Sequence, residues 1–247
     1  MAMQIHKVKG RHVNSYIIEE THGLAVVDVS SRGEKYVLGY IRDVLHRNPE
    51  AVTLVLCTHG DPDHSGGVMK LAAACKAHVA IPYATWSPWR KLLNDPAGIV
   101  FRVLTTIREA FRPRAWAMYA SPRRDAQARL LPAFHPELIP EHEDFDANPD
   151  FRLQHGCYLP GFPDWRVVHT PGHSWDSCCF LHETSRALIS GDTLLGSAKM
   201  GRLVTPSILS NHGQMKSTIK HLKSLNPLAV YPGHGSVIKG ENLLEHL

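Results

Sequence analysis

The chain has 247 residues, 43% hydrophobic and 20% charged, enough to bury one large core and carry an insertion. Its net charge of +4 is too small to argue for nucleic acid, and no apolar run approaches the ~18 residues of a membrane span. The five cysteines show no zinc-knot or disulfide spacing, and the N-terminal MAMQIHKVKGRH lacks an apolar signal core, so a cytoplasmic protein with buried thiols is expected.

In chain order, QIHKV, NSYIIEE and GLAVVDVS read as strands, with turns at Gly10 and at His22-Gly23. Val37, Leu38, Ile41, Val44 and Leu45 form a helical stripe, stopped by Asn48-Pro49. AVTLVLCT is a near-continuous apolar run, as in a strand buried on both faces. It leads into HGDPDHSGG, residues 59–67, followed by a helix (VMKLAAACKA) and a short strand (HVAIP).

From about residue 86 to 150 the texture becomes helical and broken by prolines. Nine Lys/Arg face three acids between Tyr83 and Leu130. This stretch is expected to be a helical insertion or lid within a single domain. Its Trp86, Trp89, Phe101, Phe111, Trp116 and Tyr119 are expected to form the insertion's own core; the other reading is a cover for an apolar substrate with an anionic group. Beyond Phe151, DWRVVHT is a strand, SCCFLHE and ALISGD a hairpin, NHGQMKSTIKHLKSL a helix and LAVYPG a last strand.

The chemistry concentrates where strands end. His59, Asp61, Asp63 and His64 follow one strand; His173, Asp192 and His234 each follow another, in the turns PGH, GD and PGH. A lone histidine is usually a core or surface residue, but four such turns bring ligands from several strand ends to one sheet rim. In an extended segment His59 and Asp61 project to one side, while Asp63 and His64, past the proline, can face a second position. Among the neighbours, Asp28 is a candidate brace for the metal loop or a plain surface turn. His169 is expected to brace the turn before His173, Ser65 to cap the following helix, and Cys178 and Cys179 to face opposite sides of a strand.

THGDPDHSGG, TPGHS, SGDTL and YPGHG together resemble the four motifs of the metallo-β-lactamase fold superfamily. The resemblance covers nearly the whole chain except the insertion. It implies an α/β fold, a four-layer αββα sandwich with a helical insertion, and two divalent metal ions. His59, Asp61 and His173 would hold the first ion, Asp63, His64 and His234 the second, and Asp192 would bridge them together with a hydroxide. Asp63 would be catalytic, orienting that hydroxide. The departure is Asp61, where the family pattern has His. A carboxylate adds charge and a hard donor, which admits iron or manganese; zinc, which accepts Asp oxygens readily, is the metal expected. If Asp61 points away, a mononuclear site on Asp63, His64, Asp192 and His234 remains.

The function so implied is a metal-dependent hydrolase acting on a small ester, thioester or lactone. The alternatives are a phosphodiesterase or nuclease, supported by the basic insertion alone, and a diiron redox protein of flavodiiron type needing a separate electron donor. The expected partner is a small-molecule substrate, with no membrane and no nucleic acid; a homodimer is the oligomer to test.

Overall fold

A computed structural model describes residues 3–10, 13–85, 88–112 and 149–247. The first sheet contains β1 (Gln4–Lys9), β2 (Asn14–Glu20), β3 (Gly23–Val27), β4 (Val52–Leu56), β5 (His78–Pro82) and β6 (Phe151–Leu153), in that order. Its first three strands are antiparallel neighbours, and β3 to β6 run parallel. The second sheet has the order β14-β13-β10-β9-β8-β7. These strands are β7 (Tyr158–Leu159), β8 (Phe162–His169), β9 (Cys178–His182), β10 (Ala187–Gly191), β13 (Ala229–Pro232) and β14 (Ile238–Lys239). A small hairpin, β11 (Leu195–Ser197) with β12 (Arg202–Val204), lies between β10 and β13 in the chain.

Three apolar cores separate four layers. Val37 and Ile41 of α1 (Glu34–Asp43) and Leu71 and Cys75 of α3 (Val68–Cys75) pack on the outer face of the first sheet, against Val26 and Val55. The inner core joins the two sheets: Leu54 and Leu56 meet Trp165, Val167 and Phe180. Met215, Ile219 and Leu222 of α6 (His212–Leu225) cover the outer face of the second sheet through Val168, Leu188 and Val230. The alternation along β4 shows why its sequence is almost wholly apolar. Leu54 and Leu56 point to the inner core, Val55 and Cys57 to the outer one. Cys178 and Cys179 divide in the same way, as expected.

Several boundaries differ from the sequence reading. The third strand ends at Val27 because Asp28 takes a left-handed conformation (φ +61°). The first helix stops at Asp43, ahead of Asn48-Pro49. His46 turns left-handed (φ +53°), and the Arg47 N–H reaches the Ile41 carbonyl at 3.0 Å, a Schellman-type end. The helix expected over NHGQMKSTIKHLKSL starts as its sequence indicates: the Asn211 side chain accepts from the Gln214 N–H, capping α6.

The region expected to be a helical insertion begins with α4 (Pro88–Asn94) and α5 (Pro96–Ala110). Trp86, Trp116 and Tyr119 lie outside the described residues. Trp89, Phe101 and Phe111 are 69%, 40% and 83% exposed, so these three do not form the expected core. Among the described residues, no helix is long and apolar enough to cross a membrane.

Candidate metal centre

Strand direction explains why distant ligands meet. β8 is antiparallel to β9 and β9 to β10, so β8 and β10 point the same way, and β13 is parallel to β10. The C-terminal ends of β8, β10 and β13 therefore share one rim, where His173, Asp192 and His234 follow. The loop after β4 joins that rim through the Cys178 N–H, which donates to the Thr58 carbonyl at 2.8 Å. Within that loop the backbone is extended at Asp61 (φ −74°, ψ 141°), and Pro62 then starts the one-turn helix α2 (Pro62–Ser65). This break sends the loop's ligands to two places.

The seven predicted residues come together as two adjoining pockets. Donor atoms of His59, Asp61 and His173 lie within 4.8 Å of one another, as do those of Asp63, His64 and His234; Asp192 groups with His59 and His64 between them. In the second pocket, His64 Nε2 is 3.3 Å from Asp192 Oδ1. His234 Nε2 is 3.3 Å from Asp63 Oδ2 and 3.4 Å from Asp192 Oδ1. Ligands held tetrahedrally around a zinc ion sit roughly 3.3 Å apart, so these spacings fit a metal. His64 Nε2 and Asp192 Oδ1 are buried and make no hydrogen bond, as expected of atoms reserved for a cation.

Backbone and neighbouring side chains fix these ligands. Asp28 is fully buried; its Oδ1 accepts the Thr58 N–H at 2.7 Å, and its Oδ2 accepts from His64 Nδ1 at 2.9 Å. The expected brace is thus the one formed. It places the His64 proton on Nδ1 and turns the Nε2 lone pair toward the pocket. A Cβ on Gly233 would stand 2.5 Å from His64 Cε1 and 2.8 Å from Asp192 Oδ1, so only glycine fits there. His169 Nε2 donates across its turn to the Trp175 carbonyl at 2.7 Å, the bracing role expected of it. Ser65 does not cap the following helix; its hydroxyl bonds back to the Asp61 carbonyl at 3.0 Å, and Gly67 stands at the cap of α3.

The first pocket is organised around a residue that sequence reasoning left among the basic residues of the insertion. Arg102, on α5, places Nη2 in direct contact with Asp61 Oδ2 and 3.3 Å from His173 Nε2. Asp61 Oδ2 is also 3.2 Å from His59 Nε2 and 3.4 Å from His173 Nε2. His173 Nδ1 donates to the Ile208 carbonyl at 2.9 Å, which leaves Nε2 an acceptor. The Thr58 hydroxyl has one hydrogen, with Asp28 oxygens at 3.0 and 3.1 Å to take it; His59 Nδ1, 3.0 Å away, then donates to Thr58 and its Nε2 is an acceptor too. Three acceptors thus face one pocket, and a guanidinium nitrogen meets two of them, Asp61 Oδ2 and His173 Nε2.

The protonation states follow this layout. Burial alone would raise the Asp61 carboxyl, but the Arg102 guanidinium holds it well below the usual carboxylate range. Burial and the nearby Arg102 charge push His173 down, keeping it neutral. In the second pocket burial opposes charge, and charge prevails: Asp63 falls to about 2 beside His64 and His234, and His234 rises to about 9 beside Asp192. Asp176, also unassigned from sequence, is buried with Oδ2 accepting the Gly60 N–H at 2.8 Å and the Thr85 hydroxyl at 2.9 Å. No spacing singles it out, because its partners are 91 and 116 residues away.

A family model described as the metallo-beta-lactamase superfamily matches residues 8–234. An atrochrysone carboxyl ACP thioesterase of Aspergillus fumigatus is 36% identical over 74 residues, 30% of this chain and 21% of the relative. A hydroxyacylglutathione hydrolase of Francisella tularensis subsp. novicida is 38% identical over 87 residues, 35% of this chain and 34% of the relative. The matched stretches thus span between a fifth and about a third of these curated relatives. Among solved structures, a metallo-beta-lactamase family protein from Thermus thermophilus superposes with a TM-score of 0.61 at 20% identity, over 99% of this chain and 77% of the other.

Proposed function

The chain belongs to the metallo-beta-lactamase superfamily, and from that premise we propose that it is a metal-dependent hydrolase acting on a small ester, thioester or lactone. The observation that carries the reading is the convergence of Asp63, His64, Asp192 and His234 at coordination spacing, with His64 Nε2 and Asp192 Oδ1 buried and making no hydrogen bond. His59, Asp61 and His173 form a second cluster of donor atoms beside it. The donor set of imidazoles and carboxylates suits zinc, and its carboxylate share admits iron or manganese. A divalent ion bound there lowers the pKa of a coordinated water toward neutrality and polarises an acyl oxygen.

The chain's own residues do the rest. Asp28 holds the His64 ring, and Gly233 admits it beside Asp192. Asp63 is the ligand most open to solvent, with its side chain 32% exposed against 5% for Asp192, so it faces the side from which substrate and water arrive. Its carboxylate, held ionised, accepts a hydrogen bond from an attacking water and orients it. The thioesterase and hydroxyacylglutathione hydrolase names of the relatives support placing thioesters first in a substrate panel.

The test is hydrolysis of acyl thioesters, aryl esters and lactones by zinc-loaded protein, with a bis-aryl phosphodiester as the competing class. Thioester or ester turnover is expected, and Asp63→Asn should lower kcat by about 100-fold or more while zinc remains bound. Turnover of the phosphodiester alone would reassign the substrate class. Turnover unchanged in Asp63→Asn would remove that residue from the chemistry.

A further inference from the structure

We infer that Arg102 is the resident cation of the His59/Asp61/His173 pocket, so that its guanidinium and a metal ion exclude one another there and the resting protein carries one tightly held zinc per chain. This rests on the metal reading of the seven residues, though not on the substrate proposed for them.

The argument is geometric. A zinc ion in this pocket stands about 2.0–2.2 Å from a carboxylate oxygen and a histidine nitrogen. The Arg102 nitrogen is in contact with the same Asp61 oxygen and points at the same His173 lone pair. Both occupants need the Asp61 oxygen and the His173 lone pair, and those two atoms cannot serve both. The adjoining pocket differs. No Lys or Arg makes an ion pair with Asp63 or Asp192 among the described residues, and buried acceptor atoms of His64 and Asp192 have no hydrogen-bond donor. One pocket has brought its own guanidinium, and the other has none among the described residues.

Asp61 fits the same account. Where the family pattern places an imidazole, this chain places a carboxylate. A neutral imidazole offers a guanidinium one lone pair and no charge; a carboxylate offers a charge-assisted hydrogen bond. Arg102 is also placed, not trailing. Three residues along α5, Thr105 accepts from the Leu209 N–H at 3.2 Å, and Arg108 donates to the Ser207 carbonyl at 2.8 Å. The same segment supplies the Ile208 carbonyl that orients His173. One length of chain therefore sets both the guanidinium and the imidazole it faces. With one zinc in the adjoining pocket, Arg102 supplies a fixed positive charge where a second ion would otherwise polarise the substrate.

The experiment is a zinc count. Wild type, Arg102→Met and Asp61→His are saturated with zinc, dialysed against metal-free buffer and measured by elemental analysis, with zinc titrations giving each dissociation constant. One zinc per chain is expected in wild type and two in Arg102→Met, whose second zinc should bind at least about tenfold tighter than any second zinc of wild type. Asp61→His, which takes away the guanidinium's carboxylate, should also hold two. It keeps the question answerable if Arg102→Met does not fold. As a second readout, cobalt-substituted Arg102→Met should show a spin-coupled pair by paramagnetic resonance, and wild type an isolated ion. Two equally tight zincs in wild type overturn this inference alone, as does a count of one in both variants. No zinc in any of the three overturns the metal reading beneath it as well.

Discussion

Asp28 shows how one side chain can set the chemistry of another. It sits at a left-handed backbone position, fully buried, and its two oxygens hold the Thr58 N–H and the His64 ring. Replacing it with alanine leaves the loop after β4 without its brace and frees His64 to change tautomer. Zinc affinity should fall by about 10–100-fold, the usual cost of losing a carboxylate behind a metal-ligating histidine. A competition titration against a chromophoric chelator reads this directly; an unchanged constant would show that His64 holds its orientation without Asp28. All seven candidate ligands could be picked out from sequence, because each sits in a turn whose glycine or proline marks it. Arg102 and Asp176 could not. Arg102 looks like any of nine basic residues in its region, and Asp176 follows an ordinary tryptophan. What singles them out is a partner far along the chain: Asp61 is 41 residues from Arg102, and Gly60 is 116 from Asp176.

Among the elements, α5 departs most from its sequence reading. The sequence reads as a proline-broken helical insertion whose aromatics form its own core. The structure shows Val100, Phe101, Val103, Leu104 and Ile107 exposed, while Thr105 and Glu109 are buried. The helix docks by polar contacts, and Thr105 is central: its hydroxyl accepts from the Leu209 N–H at 3.2 Å and donates to the Arg102 carbonyl at 2.9 Å. Thr105→Val keeps the shape and strands the Leu209 N–H, which should cost about 1–3 kcal/mol. Urea denaturation of metal-free protein is the measurement, and a midpoint identical to wild type would mean that α5 is not held through this residue. Strands were easier to foresee than helix ends. A strand's apolar period reports directly on its two cores, whereas α1 ends where His46 turns left-handed, which no hydrophobic pattern records.

Across the whole molecule, the two sheets meet at the metal rim, and Asp176 ties three segments together there. It joins the loop after β4 at Gly60, the residues beyond β5 at Thr85, and its own loop between β8 and β9. Burial would raise its carboxyl, but Lys91 and His59 nearby lower it below its ordinary value. A carboxyl lowered in the folded state stabilises the fold above its unfolded pKa, ~3.9, and that contribution is lost as pH falls through the lower folded value. Acid unfolding of wild type should therefore steepen below about pH 4. Asp176→Asn keeps the Gly60 hydrogen bond but loses the charge; it should be less stable at pH 7 and show a shallower acid limb by circular dichroism. Parallel limbs would mean that another carboxyl governs the acid transition.

The layered sandwich was implied by the resemblance of four motifs to a family; the residues themselves marked the strands and helices and the seven ligands at strand ends. Both are written locally, in apolar periods of two and 3.6 and in turns that must carry glycine or proline where a strand ends. The sequence also posed the question of Asp61, since a carboxylate in an imidazole's place is visible without coordinates. What occupies the pocket beside Asp61 was decided only by tertiary structure. The answer depends on where α5 lies and which way Arg102 reaches, and long-range docking onto residues 207–209 fixes both. A charge has no period along the chain, so its partner becomes known only when the fold brings the two within contact.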